Sequence, residues 1–225
     1  FQFRGNCSAP RFGGQVLAGL EMALWDLQGK VLDRPVYELL GGAKRQHVEY
    51  FGFIQGSQPE ELAKDAVELV KQGHRVIYCK VGRGDALDLE IVRQVREAVG
   101  PEIRLRLDPN EVWDPLAAIR MIEALKDYKP EMIEQPCDHR SLTALKQIKD
   151  ASPIAIAADQ CVFNAADVYQ LTQIRAADLI TLGLHETGGI GPFVKAAAVA
   201  EAAGINICLH GLYETGITTC AAHQV

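Results

Sequence analysis

Three apolar stretches in succession finish on an acid, and nothing else in this 225-residue chain constrains its fold as strongly. Arg104-Leu105-Arg106-Leu107-Asp108 alternates like a short strand and runs into Pro109 and Asn110. Met132-Ile133-Glu134 and Ile154-Ala155-Ile156-Ala157-Ala158-Asp159 repeat the pattern. In a barrel of parallel strands the C-terminal strand ends converge on one face, where the loops build the active site. Three acids delivered there describe a site for a hard cation such as Mg²⁺, which takes oxygen ligands and keeps some of its water. Each acid taken singly has a plainer account, capping the next helix or facing solvent. Their matching positions favour the metal.

The rest of the chain alternates in the same way. Val16, Leu17, Leu20, Ala23, Leu24, Leu27 and Val31 recur at helical spacing over residues 14–32. Pro35 suits the first turn of a short helix through Leu40, stopped by Gly41 and Gly42. Strands are expected at 47–53, 75–81, 103–108, 132–134, 154–158, 179–182 and 205–209. Helices are expected at 59–72, 85–99, 114–128, 141–151, 164–175 and 191–203, with a short one near 218–224. Strands alternating with helices imply an α/β fold with a parallel sheet. The short connections favour a barrel over an open doubly wound sheet, which usually carries a glycine-rich phosphate turn after its first strand. Phe53-Ile54-Gln55-Gly56-Ser57 is a poor match to such a turn. Seven strands are one short of a closed barrel, so the chain is expected to be a piece of a longer product.

The net charge of −6 speaks against nucleic acid or an anionic membrane as partner. An anionic substrate stays open, because a bound metal inverts the local field. No apolar run is long enough to span a bilayer. The six cysteines include no CxxC, and Cys79, Cys161 and Cys208 lie in or beside apolar strands. Reduced thiols and a cytoplasmic location are the simpler expectation.

Lys80 ends the second strand, and alternation puts Tyr78 on the same side. A lysine at the mouth of a barrel, near convergent acids, is a candidate base; the plainer account is a solvated or ion-paired strand end. His210 ends the seventh strand and is a candidate proton donor or second base, or else a structural histidine. Glu214 lies four residues on and is a candidate to orient it. Asn110 and Gln135 follow their acids and either orient ligands or cap helices. The turn from His185 to Gly191 is rich in glycine, and its N–H groups offer an anion site or merely a hand-over to the next helix. No Ser/His/Asp or Cys/His triad and no zinc-site spacing is identifiable.

Taken together these motifs resemble the enolase superfamily, on its mandelate racemase and muconate lactonising side. The resemblance is carried by Glu21-Met22-Ala23-Leu24-Trp25-Asp26-Leu27-Gln28-Gly29-Lys30 and by the stretch from Pro35 to Gly42. It continues through Lys80-Val81-Gly82, Asp108-Pro109-Asn110, Glu134-Gln135-Pro136, Asp159-Gln160 and Gly188-Gly189, in order. It implies a modified TIM barrel of the (β/α)₇β type over residues 47–225, lacking the last strand, with 1–46 as the remnant of an N-terminal capping domain and its lead-in helices. It also implies one Mg²⁺ held by Asp108, Glu134 and Asp159, and a base that removes the proton α to a carboxylate to give a metal-stabilised enediolate. The implied partner is a small-molecule carboxylate, and a homo-oligomer is expected.

Departures from that pattern bear on the reaction. Where such proteins carry Lys-x-Lys on the second strand, this chain has Tyr78-Cys79-Lys80, keeping the lysine that resembles the base. Gln160 follows Asp159 where a glutamate is usual. On the sixth strand, the position that holds a lysine or an aspartate in the resembling types is Gly183. The opposite-face lysine is thus missing, and so is the aspartate that would partner His210. This favours one-base chemistry: Lys80 takes the α-proton and returns it to a departing hydroxyl on the same face. The expected function is therefore a Mg²⁺-dependent lyase, dehydrating a hydroxyproline-like or sugar-acid substrate. Two alternatives remain, a racemase or epimerase using Lys80 and His210, and a metal- or carboxylate-binding barrel without catalysis.

Overall fold

The computed structural model describes residues 9–211 and 215–225. The helices are α1 (Ala9–Leu32), α2 (Val36–Leu39), α3 (Pro59–Lys71), α4 (Asp85–Val99), α5 (Pro115–Leu125), α6 (Leu142–Ala151), α7 (Ala165–Ile174), α8 (Leu184–Thr187), α9 (Ile190–Ala202) and α10 (Gly216–Ala222). The strands are β1 (Gly52–Phe53), β2 (Val76–Lys80), β3 (Arg104–Asp108), β4 (Met132–Glu134), β5 (Ala155–Ala158), β6 (Leu179–Leu182) and β7 (Asn206–Leu209). They form one sheet in the order β1-β2-β3-β4-β5-β6-β7. This is the α/β, parallel-barrel class of fold that the alternation predicts, each strand neighbouring the next in sequence. The chain divides into two compact units.

One unit comprises residues 49–158 and 176–178. Its ladders are parallel, with Lys80 opposite Asp108 and Glu134 opposite Ala157. β2 and β4 are buried on both faces because parallel strands are covered on both sides; only Lys80 among their residues is not buried. In β3, Leu105 and Leu107 are buried, while Arg104 and Arg106 pair with Glu131. Local chemistry sets the helix starts. Gln58 and Glu61 form a capping box on α3, with Pro59 in its first turn. Asp114 accepts from the Leu116 and Ala117 amides at α5, and Ser141 accepts from Ala144 at α6. Gly82 sits at φ +85°, and a Cβ there would stand 2.9 Å from the Pro109 carbonyl. The loop after Lys80 therefore lies directly on the loop after Asp108. Asp88 is fully buried and fixes that first loop, accepting from the Gly82 and Arg83 amides at 2.9 and 3.0 Å. Burial nonetheless pushes its carboxyl above the usual range.

The other unit comprises residues 1–48, 159–175 and 179–225. β6 and β7 pair in parallel from Leu179↔Asn206 to Leu182↔Leu209. Helix α1 packs on α8 and α9. Glu21 of α1 accepts from the Ile190 and Gly191 amides at 2.7 and 2.8 Å, and from Trp25 Nε1 at 2.7 Å. The glycine-rich turn at the start of α9 thus does bind an anion, and that anion is the protein's own carboxylate. Glu21→Ala leaves two amides of a helix N-terminus without their acceptor and should cost about 1–3 kcal/mol of stability. Chemical denaturation checks this; a midpoint equal to that of the parent protein would contradict it.

Two expectations shift. Residues 47–53 read as a full strand, but only Gly52–Phe53 is laddered, and only to β2. The stretch from His185 to Gly191 read as a glycine-rich turn, but Leu184–Thr187 form the short helix α8. Among the described residues no helix is long and apolar enough to cross a membrane. Cys79, Cys137 and Cys220 are free thiols.

Candidate active site

In the unit built on β1–β5, the side chains from three strand ends meet. Asp108 closes β3 and Glu134 closes β4, and their exposures are 0% and 2%. The Tyr78 hydroxyl reaches both, 2.6 Å from Asp108 Oδ2 and 3.1 Å from Glu134 Oε1. Two buried carboxylates are thereby anchored on one phenol oxygen. Lys80 Nζ forms an ion pair with Asp108 Oδ2 and lies 5.6 Å from the centre of the Tyr78 ring. Phe51 and Phe53 flank that ring, with centroids at 4.9 and 5.6 Å, and hold the tyrosine against the sheet. Asp108 also accepts from the Asn110 backbone amide at 2.7 Å and from its side-chain amide at 3.4 Å. Asn110 therefore orients the acid, and α5 takes its cap from Asp114 instead. The Gln135 side chain donates to the Cys137 carbonyl at 3.0 Å and shapes the loop after Glu134.

The turns that present these acids are strained. Asn110, Glu111 and Gln135 have φ of +52°, +69° and +32°, unusual for residues other than glycine. Cross-links between the two loops hold them there: the Glu111 amide donates to the Gln135 carbonyl at 2.9 Å, and Trp113 to the Pro136 carbonyl at 3.2 Å. Glu111, buried, accepts from the His139 amide at 2.7 Å and contacts its ring Nδ1 at 2.6 Å. Sequence reasoning passed over Glu111 and His139, whose separation of 28 residues carries no local signal. Burial pushes the Cys79 thiol up to about 12 and Cys137 up to about 11, so neither is a thiolate nucleophile at neutral pH.

In the unit built on β6 and β7, Asp159 is 1% exposed and its Oδ1 lies 3.6 Å from His210 Nδ1. His210 follows β7, its amide donating to the Leu182 carbonyl at 2.9 Å. Its Nδ1 is 2.8 Å from Glu186 Oε2, and the His185 ring centroid lies 5.5 Å from its own. Ligand atoms of His185, Glu186 and His210 all lie within 4.8 Å of one another. Glu214, the expected partner of His210, lies outside the described residues. Glu186 contacts the histidine instead, from the short helix α8.

The donor set at the strand ends fits a hard divalent cation. Asp108 and Glu134 offer buried carboxylate oxygens side by side, where like charges repel unless a cation stands between them. Asp159 is a buried carboxylate of the same kind.

The description "Enolase C-terminal domain-like" matches residues 61–225, and "Mandelate racemase / muconate lactonizing enzyme, N-terminal domain" matches residues 13–41. The L-Ala-D/L-Glu epimerase of Clostridium acetobutylicum is 37% identical over 97% of this chain and 59% of its own length. The hydrophobic dipeptide epimerase of Enterococcus faecalis is 37% identical over 94% of this chain and 60% of its own. A crystal structure of the E. faecalis dipeptide epimerase, complexed with Mg and the dipeptide L-Leu-L-Tyr, superposes with a TM-score of 0.87 at 37% identity, over 92% of this chain and 59% of that one. The chain thus spans about three-fifths of the length of these relatives. It belongs to the mandelate racemase/muconate lactonizing enzyme family of the enolase superfamily.

Proposed function

We propose that this chain carries the catalytic part of an epimerase or racemase that inverts a carbon α to a carboxylate, with Lys80 as base for one configuration and His210 for the other. The observation that carries this is the seat of Lys80: an amine at a strand end, paired with a buried carboxylate that shares a tyrosine hydroxyl with a second one. Family membership supports Asp108, Glu134 and Asp159 as ligands of one Mg²⁺. When bound, that ion supplies positive charge to the substrate oxygens on which negative charge develops as the α-proton leaves. Tyr78 holds two of the ligands; Nζ of Lys80 takes the α-proton of one epimer while His210 gives a proton to the opposite face, and the two exchange roles in the reverse direction.

The dehydration expected from the sequence draws less support than inversion. At 37% identity, relatives matching almost the whole chain are an L-Ala-D/L-Glu epimerase and a hydrophobic dipeptide epimerase, whereas a chloromuconate cycloisomerase matches 98% of it at 30%. With glycine at 183, His210 is the residue we propose for the second proton transfer. A dipeptide, or another amino acid carboxylate acylated on nitrogen, is the substrate class this favours. The matches at 13–41 and 61–225 support a capping-domain remnant over 1–46 and a barrel over 47–225. Free thiols support a reducing, cytoplasmic setting, and we retain a homo-oligomer as part of the proposal.

Proton NMR in D₂O with Mg²⁺ tests the assignment, over a panel of L-Ala-L-Glu, L-Leu-L-Tyr, D-Ala-L-Val, hydroxyprolines and aldonic acids. Loss of a dipeptide α-proton signal together with growth of its epimer is the expected result. Elimination of water from a hydroxy acid would restore the dehydratase. No exchange across the panel would leave a carboxylate-binding barrel without catalysis.

A further inference from the structure

Gly183 ends β6, and its backbone does not require glycine: φ −111° and ψ 147° are extended values that any residue adopts. What a side chain would lack is room. A Cβ on Gly183 would stand 2.8 Å from His185 Cε1, 2.9 Å from His185 Nδ1 and 3.1 Å from Glu186 Oε2. Two side chains from the next helical turn fill the volume that a strand-end side chain would take. The turn is closed by the Thr187 amide, which donates to the Gly183 carbonyl at 3.0 Å, and by the Thr187 hydroxyl, which reaches the same oxygen at 3.0 Å. It folds residues 185 and 186 back over residue 183.

We propose that Glu186 is the positioning residue for His210, and that residue 183 is glycine in order to admit it. The carboxylate of Glu186 meets His210 Nδ1 at 2.8 Å. Asp159 Oδ1, at 3.6 Å from the same nitrogen, is too far for a hydrogen bond. A carboxylate only accepts, so Nδ1 carries the hydrogen of this contact and Nε2 is the nitrogen left for other partners. The His185 ring packs on the His210 ring at an interplanar angle of 44°, which limits its swing. With its amide tied to Leu182, His210 is fixed at both backbone and ring. The consequence for catalysis rests on the epimerase reading: the histidine's orientation is set by α8 and not by a side chain at the end of β6.

Two measurements test this, the first without substrate. ¹⁵N NMR of the imidazole nitrogens in the Mg²⁺-loaded protein should show His210 protonated at Nδ1. Glu186→Gln, which keeps an acceptor, should retain that tautomer, whereas Glu186→Ala and Gly183→Ala should lose it. A His210 tautomer unchanged in both alanine variants would overturn the assignment. The second measurement follows exchange of the tyrosine α-proton in D₂O with L-Leu-L-Tyr and L-Leu-D-Tyr. Glu186→Ala and Gly183→Ala should slow exchange of one epimer by at least about tenfold while the Lys80-dependent exchange of the other persists, with Glu186→Gln largely restored. Equal loss for both epimers would mark a structural role and overturn it. If the parent protein exchanges neither epimer, the epimerase reading fails for these dipeptides, and the tautomer alone still decides the role of Glu186.

Discussion

Lys80→Ala should lower the exchange of one epimer's α-proton by about 10²–10⁴-fold, the usual contribution of a positioned general base. The same loss is expected for Lys80→Arg. Arginine keeps a positive charge beside Asp108 but does not give up its proton in a protein, so the pair of variants separates charge from base. Ion pairing at Asp108 is the main structural duty visible for Lys80. A bound divalent cation replaces that charge, so Mg²⁺ affinity should not fall in Lys80→Ala. Exchange measured by NMR in D₂O, alongside Mg²⁺ titration calorimetry, reads both quantities. Wild-type exchange in either variant would remove Lys80 from the mechanism. Weaker Mg²⁺ binding with normal exchange at saturating metal would reassign it to holding Asp108.

Much of this site was legible because parallel strands are buried on both faces and therefore read as uninterrupted apolar runs. An acid at the end of such a run stands out, as Glu134 and Asp159 do, while Asp108 closes a strand that alternates arginine with leucine; all three are 0–2% exposed. Lys80 and Tyr78 were legible for a related reason, since strand alternation places them on one side and the structure brings both onto Asp108. The misses are of two kinds. Residues 47–50 were read as strand on composition, but ladder formation depends on a neighbour, and β1 pairs with β2 only at Gly52 and Phe53. The stretch from His185 to Gly191 was read as a glycine-rich turn, yet four residues suffice for one helical turn at Leu184–Thr187 when Gly183 and Thr187 close it. That turn brings Glu186 to His210, 24 residues away. No periodicity reports a contact of that kind, so the missing strand-end partner at Gly183 read as favouring one-base chemistry, while the fold brings the Glu186 carboxylate to His210 from the next turn.

Tyr78 is where the chain replaces a cation of its relatives' pattern with a neutral donor, and Tyr78→Phe should weaken Mg²⁺ binding by about 10–100-fold, the usual effect of removing a group that orients metal ligands. The phenol has one hydrogen to share between Asp108 Oδ2 at 2.6 Å and Glu134 Oε1 at 3.1 Å. Its oxygen fixes where both carboxylates point, and the packing of Phe51 and Phe53 fixes the phenol. Phenylalanine keeps that packing and removes only the hydroxyl, so fold and thermal stability in Mg²⁺ should change far less than the affinity does. Buried carboxylates that lose a donor must reorient to find another partner. That acts directly against a cation that needs both of them aimed inward. Mg²⁺ titration calorimetry on Tyr78→Phe and its parent gives the comparison, with exchange at saturating Mg²⁺ as the second axis. If the hydroxyl serves the ligands, exchange should recover at high Mg²⁺. Unchanged affinity with a lasting loss of exchange would place the hydroxyl on the substrate or on Lys80 and overturn its assignment to Asp108 and Glu134.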